Sequence, residues 1–237
     1  MISRIASLHF APTRENAENL RREGVSGEIF VTGNTVIDAM RLSSAKMEFS
    51  SPTLRALEPK GKLITLTCHR RENYGEPMES IFAAVKELAE TEPDITVVYP
   101  VHPAPAVREC AYRLLGGIPN VVLTAPVDAF DMQLLMKKSF LVMTDSGGLQ
   151  EEAPALGIPV LLLRRETERP EAIKAGGVKL TGTNKDDILR AARELIYDPA
   201  VYSEMSNAEN PYGDGYASRR IADELLKVLS VECGEWS

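Results

Sequence analysis

The chain has 237 residues, roughly 1.6 domains at ~150 residues each, with 27 Lys+Arg against 34 Asp+Glu for a net charge of −7 and 44% apolar residues. This is ordinary globular composition, neither disordered nor repetitive, and the acidic balance argues against a broad cationic face for nucleic acid. No apolar run approaches the ~20 residues of a membrane helix and MISRIASLHFAPT lacks the apolar core and cleavage site of a signal peptide, so the expectation is a cytoplasmic protein with no membrane partner.

Short runs rich in Val, Ile, Leu and Thr alternate with longer segments of helical period, the pattern of βα units in a parallel sheet. In chain order, Ile5 to Ala11 reads as a strand, Thr13 to Glu23 as a helix, Glu28 to Thr32 as a strand and Thr35 to Ser43 as a helix. Ser44 to Lys60, with Ser50, Ser51, Pro52 and Pro59 and no apolar period, reads as a linker. Strands then follow at Lys62 to Thr67, Ile95 to Val101, Val121 to Thr124, Phe140 to Thr144, Val160 to Leu163 and, weakly, Gly177 to Thr181. Helices fall at Pro77 to Thr91, Ala104 to Leu115, Ala129 to Lys138, Gln150 to Leu156 and Lys185 to Tyr197, and Ala217 to Leu229 is amphipathic. Near-continuous apolar strands predict a sheet covered on both faces. Cys68, Cys110 and Cys233 lie far apart with no metal spacing, which predicts neither a disulfide framework nor a zinc site.

Ligands of open parallel sheets sit beyond the carboxyl ends of strands, so the residues there carry the candidate chemistry. Cys68-His69-Arg70-Arg71-Glu72-Asn73 packs an imidazole, two guanidiniums and a carboxylate into one turn, suited to phosphate and to proton exchange, or is a solvated charged loop. Thr144-Asp145-Ser146-Gly147-Gly148 runs from a strand into a helix start, where backbone N–H groups face an anion and glycines permit close approach. Ser146 offers a hydroxyl donor, and Glu152, a turn later, is placed to accept from sugar hydroxyls. The bland alternative is a tight turn with exposed acids. Arg164 to Glu171 offers Arg169 to a diphosphate, with Glu168 to hold it, or is a self-paired surface loop. His102 ends another strand, and Asn210-Pro211-Tyr212-Gly213-Asp214-Gly215 reads as a fixed turn and helix cap.

Taken in order, FVTGNTVIDAM (30–40), HRREN (69–73), VHP (101–103), TDSGGLQEEAPALGIPVLLLR (144–164), TERPEA (167–172) and NPYGDG (210–215) resemble the non-hydrolysing UDP-N-acetylglucosamine 2-epimerase family, from Leu8 to Leu229. The resemblance implies an α/β fold, a Rossmann-like doubly wound parallel sheet forming the C-terminal half of a two-domain GT-B architecture, with the nucleotide sugar bound mainly by that half. It implies interconversion of UDP-GlcNAc and UDP-ManNAc: a proton leaves sugar C2 with loss of UDP, and UDP and a proton are re-added to the glycal from the opposite face. No metal or redox cofactor is implied. Relatives are typically dimeric and are activated by UDP-GlcNAc at a second site.

By motif, His69 occupies the active-site histidine position. Ser146, Gly147 and Gly148 match the phosphate-holding positions, Glu152 the ribose carboxylate, and Arg169 the arginine after the last long strand. His102, Arg70 and Arg71 resemble residues of the cleft or effector site. Val127 and Met132 stand where relatives contact uracil with Gln and an aromatic residue. The family's catalytic carboxylates precede Leu8, so residues 1–14 read as the tail of a first domain, 15–237 as the UDP-binding domain, and 217–230 as a crossover helix. Two readings compete: the nucleotide-binding portion of an epimerase, which needs a complementary N-terminal chain to turn over, and a UDP-sugar-binding module or non-catalytic subunit. A GT-B glycosyltransferase half fits HRREN and TERPE less well.

Overall fold

Every strand pairing in the structure, a computed structural model describing residues 2–43 and 48–234, is parallel. In chain order the elements begin β1 (Leu8–Ala11), α1 (Arg14–Arg22), β2 (Glu28–Val31), α2 (Thr35–Ser43) and α3 (Pro52–Arg55). They continue β3 (Lys62–Thr67), α4 (Glu76–Thr91), β4 (Ile95–Pro100), α5 (Pro105–Leu115), β5 (Val121–Thr124), α6 (Ala129–Lys137), β6 (Leu141–Thr144) and α7 (Leu149–Ala155). The last are β7 (Val160–Leu162), α8 (Glu171–Lys174), β8 (Val178–Leu180), α9 (Lys185–Tyr197), α10 (Pro199–Ser206) and α11 (Ala217–Gly234). The chain divides into two compact units, Met1–Ala45 with Asn210–Ser237, and Lys46–Glu209.

The larger unit is a six-stranded sheet in the order β5-β4-β3-β6-β7-β8. Numbered from its own first strand this is 3-2-1-4-5-6, the order of doubly wound nucleotide-binding sheets. The central strands β3 (KLITLT) and β4 (ITVVYP) are buried almost throughout, as continuous apolar runs require. Alternate side chains serve opposite faces. Ile64, Leu66, Val97 and Tyr99 join α4, α5 and α9 in one core, whereas Leu63 and Val98 join Phe49, Leu54, Leu134 and Leu135 in the other. Met78, Ile81, Phe82, Val85, Leu88 and Ala89 fall on one stripe of α4 by helical period, which is why that helix lies flat on the sheet.

The predicted linker is in part core. Residues 44–47 lie outside the described residues, but Ser51 caps α3, Pro52 starts it, and Phe49 and Leu54 are buried. The Ser50 and Ser51 N–H groups donate to the two carboxylate oxygens of Asp131 at 2.8 and 2.7 Å, fastening the segment to α6. Two apolar residues separated by a Ser-Ser-Pro turn make no period, so pattern reading passes over them. It also passes over α10, which starts where α9 ends because Asp198 stops one helix and N-caps the next.

In the smaller unit β1 pairs with β2, Leu8 opposite Glu28 and Ala11 opposite Val31. Asp38, on α2, caps α11 by accepting from the N–H groups of Ala217 and Ser218 at 3.0 and 2.8 Å. The 210–215 turn sits on the end of β2: Asn34 N–H donates to Tyr212 O at 2.7 Å, and Arg220 grips Asp214 through two bonds of 2.8 and 2.7 Å while donating to Thr32 O. That fork holds the Asp214 carboxyl down at about 2. Among the described residues, no helix is long and apolar enough to cross a membrane.

Candidate functional site

The strand order reverses between β3 and β6, and crevices open at such switch points because the loops beyond the two strands depart to opposite faces. The two strand ends are tied directly, Thr67 opposite Thr144 in register with their hydroxyls 2.6 Å apart. The loops that diverge from this tie carry the HRREN and DSGG segments, so residues 76 positions apart in sequence meet at one place.

Asp145 organises the meeting. Its side chain is fully buried, and Oδ2 accepts from His69 N–H and Arg70 N–H, each at 2.8 Å, and from Asn73 Nδ2 at 3.0 Å. Asn73 Nδ2 also reaches Leu163 O at 3.2 Å, tying in the loop after β7. The Cys68 thiol is held protonated by burial and, secondarily, by the charge of Asp145. Burial likewise pushes up the Tyr99 hydroxyl, which donates to Cys68 O at 2.5 Å. His69 Nδ1 lies 3.5 Å from Asp145 Oδ1, and its ring stacks on that of His102 with centroids 5.3 Å apart and planes 15° from parallel.

Two guanidiniums close on the glycine that follows. A Cβ placed on Gly147 would stand 1.9 Å from Arg169 Nη1 and 3.2 Å from Arg70 Nη2, so the absent side chain is the space these cations occupy. Arg169 pairs with Glu151 and with Glu168, the latter at 2.8 Å, and Arg70 Nη2 is 3.6 Å from Glu168. Arg164, 6% exposed, lies behind them and bridges Glu72 at 3.0 Å and Glu168 at 2.9 Å. Burial raises the Glu168 carboxyl, but its backbone bond and the charges of Arg164 and Arg169 outweigh this and hold it below the usual range. The arginine-glutamate run after β7 thus pairs within itself through Glu168 and is also joined to HRREN through the buried Arg164 guanidinium. Thr167 Oγ1 extends it, donating to the buried Gln150 Oε1 at 2.8 Å and accepting from Arg169 N–H at 3.1 Å.

Ser146 is fixed beside Gly147 by its N–H bond to Thr144 Oγ1 at 2.9 Å, and Gly148 opens α7. Glu152, one turn on, would lie 3.2 Å from a Cβ on Gly148. Burial raises its carboxyl, a bond from Gln133 of α6 lowers it, and the Glu151 charge raises it further. Val127 and Met132 are both half-buried beyond β5, two strands from the switch point, with Val127 packed on the Phe49-Leu134 cluster. Arg71 is exposed, and His102 is exposed apart from its stack on His69. His69, Arg70, Ser146, Gly147, Gly148, Glu152, Arg169 and His102 therefore gather around the switch point, whereas Val127 and Met132 lie further along the sheet edge.

The family model described as UDP-N-acetylglucosamine 2-epimerase matches residues 1–226. The chain belongs to the UDP-N-acetylglucosamine 2-epimerase family. It is 49% identical over 227 residues to the UDP-N-acetylglucosamine 2-epimerase of Bacillus subtilis, covering 95% of this chain and 59% of that one. It superposes on S. aureus MnaA solved with UDP at a TM-score of 0.89 and 47% identity, covering 95% of this chain and 61% of that one. For the Neisseria meningitidis UDP-GlcNAc 2-epimerase bound to UDP-GlcNAc the values are 0.89 and 42%, with 95% and 62% covered. The chain thus spans about three-fifths of the length of the epimerases it matches. These structures are GT-B-like, and the six-stranded Rossmann-like sheet is one half of that architecture.

Sequence reasoning passed over three members of the site. Asp145 and Asn73 stood inside motifs already singled out, but nothing in their residue types announces that they bond to each other. Arg164 reads as the first charge of a surface run, and only burial shows it to be the link between two loops.

Proposed function

We propose that this chain holds the UDP of a UDP-N-acetylhexosamine at the β3–β6 switch point, and that the protein to which it belongs interconverts UDP-GlcNAc and UDP-ManNAc. The observation that carries this is the Gly147 backbone lying bare beneath the guanidiniums of Arg169 and Arg70. An elimination that expels UDP requires donors aimed at the departing diphosphate, and cations with backbone N–H groups supply them. Glu152 is the ribose acceptor, Ser146, Gly147 and Gly148 hold phosphate, and His69 faces the sugar and diphosphate. The base lies toward Val127 and Met132. Arg70, Arg71 and His102 border the cleft, where a second UDP-GlcNAc would act as effector.

The carboxylates that move the C2 proton are supplied by the part of the family's length this chain does not span, in the same polypeptide or a complementary one, and the full enzyme is a homodimer. Calorimetry with UDP, and a coupled assay for UDP-ManNAc on this chain alone and mixed with the amino-terminal two-fifths of a relative, test the proposal. UDP binding that Arg169→Ala largely abolishes, with turnover only in the mixture, is expected. Turnover by the chain alone would show that the acids are not needed from elsewhere. UDP binding unchanged in Arg169→Ala would return Arg169 to the class of surface ion pairs.

A further inference from the structure

We infer that Asp145 is the positioning residue of the site: its buried carboxylate sets the ring orientation and tautomer of His69, so that Nε2 is the nitrogen offered to a ligand. The functional meaning of this rests on the nucleotide-sugar reading above, but the geometry stands apart from it. Oδ2 of Asp145 is saturated by three N–H donors, which fixes the plane of the carboxylate. Oδ1 is buried without a hydrogen-bond partner and has His69 Nδ1 facing it at 3.5 Å. Buried carboxylate oxygens are rarely left unpaired, and a small rotation of the half-exposed imidazole turns this separation into an Nδ1–H donation.

The other face of the ring is constrained independently. His102 stacks on His69, and His102 Nδ1 accepts from Ala104 N–H at 3.2 Å. A nitrogen that accepts a backbone N–H carries no proton, so neutral His102 is the Nε2–H tautomer. The stacked imidazoles are therefore held as opposite tautomers, His69 protonated at Nδ1 by its carboxylate and His102 at Nε2 by its amide. Of the other titratable groups beside Asp145, the Cys68 thiol also interacts with the carboxylate, as a weak S–H donor. Cys68 keeps its proton, and the Tyr99 hydroxyl is committed to Cys68 O.

The consequence is a division of labour within one loop. Asp145 directs the imidazole while the next residues, Ser146 and Gly147, form the floor under Arg169. One residue thus places the lone pair of His69 Nε2 and the anion cradle in fixed relation. Asparagine at this position keeps an oxygen for the three donors but puts an NH2 opposite His69 Nδ1, which forces the ring to accept there and moves its proton to Nε2.

Nitrogen-15 spectra of histidine-labelled protein, recorded at a pH where all imidazoles are neutral, read the tautomers directly, and the chain has only 3 histidines. The expected result is His69 as Nδ1–H and His102 as Nε2–H, with Asp145→Asn converting His69 to Nε2–H and leaving His102 unchanged. Wild-type His69 found as Nε2–H overturns the inference even if the variant does not fold. An unchanged His69 tautomer in a folded Asp145→Asn protein overturns it as well. Titrating UDP into the same samples separates the two proposals: the Nδ1–H tautomer with no response to UDP supports the role of Asp145 and refutes the nucleotide reading.

Discussion

Alanine at Gly147 separates the site's chemistry from the protein's stability. The new Cβ would start 1.9 Å from Arg169 Nη1, and ordinary contact begins near 3.4 Å, so the guanidinium must retreat by 3.4 − 1.9 = 1.5 Å. Its 2.8 Å bond to Glu168 would then stretch beyond hydrogen-bonding range. The folding cost is small where the flexible guanidinium end swings aside with its Nε still on the buried Glu151, because the exposed pair with Glu168 contributes at most about 1 kcal/mol. Alanine also gains about 0.4–1 kcal/mol by restricting the unfolded chain, so stability changes by under about 1 kcal/mol overall. Ligand binding carries the loss. Withdrawing one charge-assisted contact from a diphosphate costs about 1.5–3 kcal/mol, a weakening of roughly 10- to 150-fold in Kd. Calorimetry with UDP and with uridine, beside urea unfolding, reads all three quantities: uridine binding and the unfolding midpoint hold while UDP affinity falls. Unchanged UDP affinity would refute the assignment of Arg169 to the phosphates, and a stability loss above about 3 kcal/mol would refute the view that the cradle yields.

Three other perturbations test different parts of the chain. Gly61→Ala meets backbone, since its Cβ would lie 1.9 Å from Asp94 O at a φ of +62°, and urea unfolding is expected to show a loss of about 2–4 kcal/mol. Because burial raises the Glu152 carboxyl, the folded state binds its proton more readily than the unfolded chain and stability rises as pH falls through that titration; Glu152→Gln should raise Tm at neutral pH, lose that advantage in acid, and weaken uridine binding. Asp214 shows the opposite sign: its stabilising contribution is full above the ordinary carboxyl value of 3.8 and disappears as pH falls through about 2. An NMR titration of Asp214 should therefore have its midpoint near 2, and Arg220→Ala should return it toward 3.8.

The larger unit was legible from sequence because its strands announce themselves. β3 and β4 are continuous apolar runs, and α4 and α9 carry their core residues at helical spacing, so period alone identifies elements and faces. The candidate site was legible as a set of motifs for a related reason: strand ends in a parallel sheet are where loops of unusual composition stand out. Pattern reading failed where burial depends on partners far away in sequence. Phe49 and Leu54 look like linker residues until Asp131, some 80 residues on, holds the Ser50–Ser51 backbone.

By itself, then, the sequence determined which segments become strands and helices and which residue types crowd the strand ends, since local period and composition decide those. Only the tertiary structure decided that β3 and β6 are neighbours, because strand order depends on how crossovers close and not on any strand's own residues. From that adjacency follow the bonds from Asp145 to the HRREN backbone, the burial of Arg164 between two loops, and the bare face of Gly147 beneath Arg169. A glycine pair written in sequence is a turn. Here a guanidinium from the loop after another strand fills the space a side chain would have taken, which is the geometry the proposed anion cradle rests on.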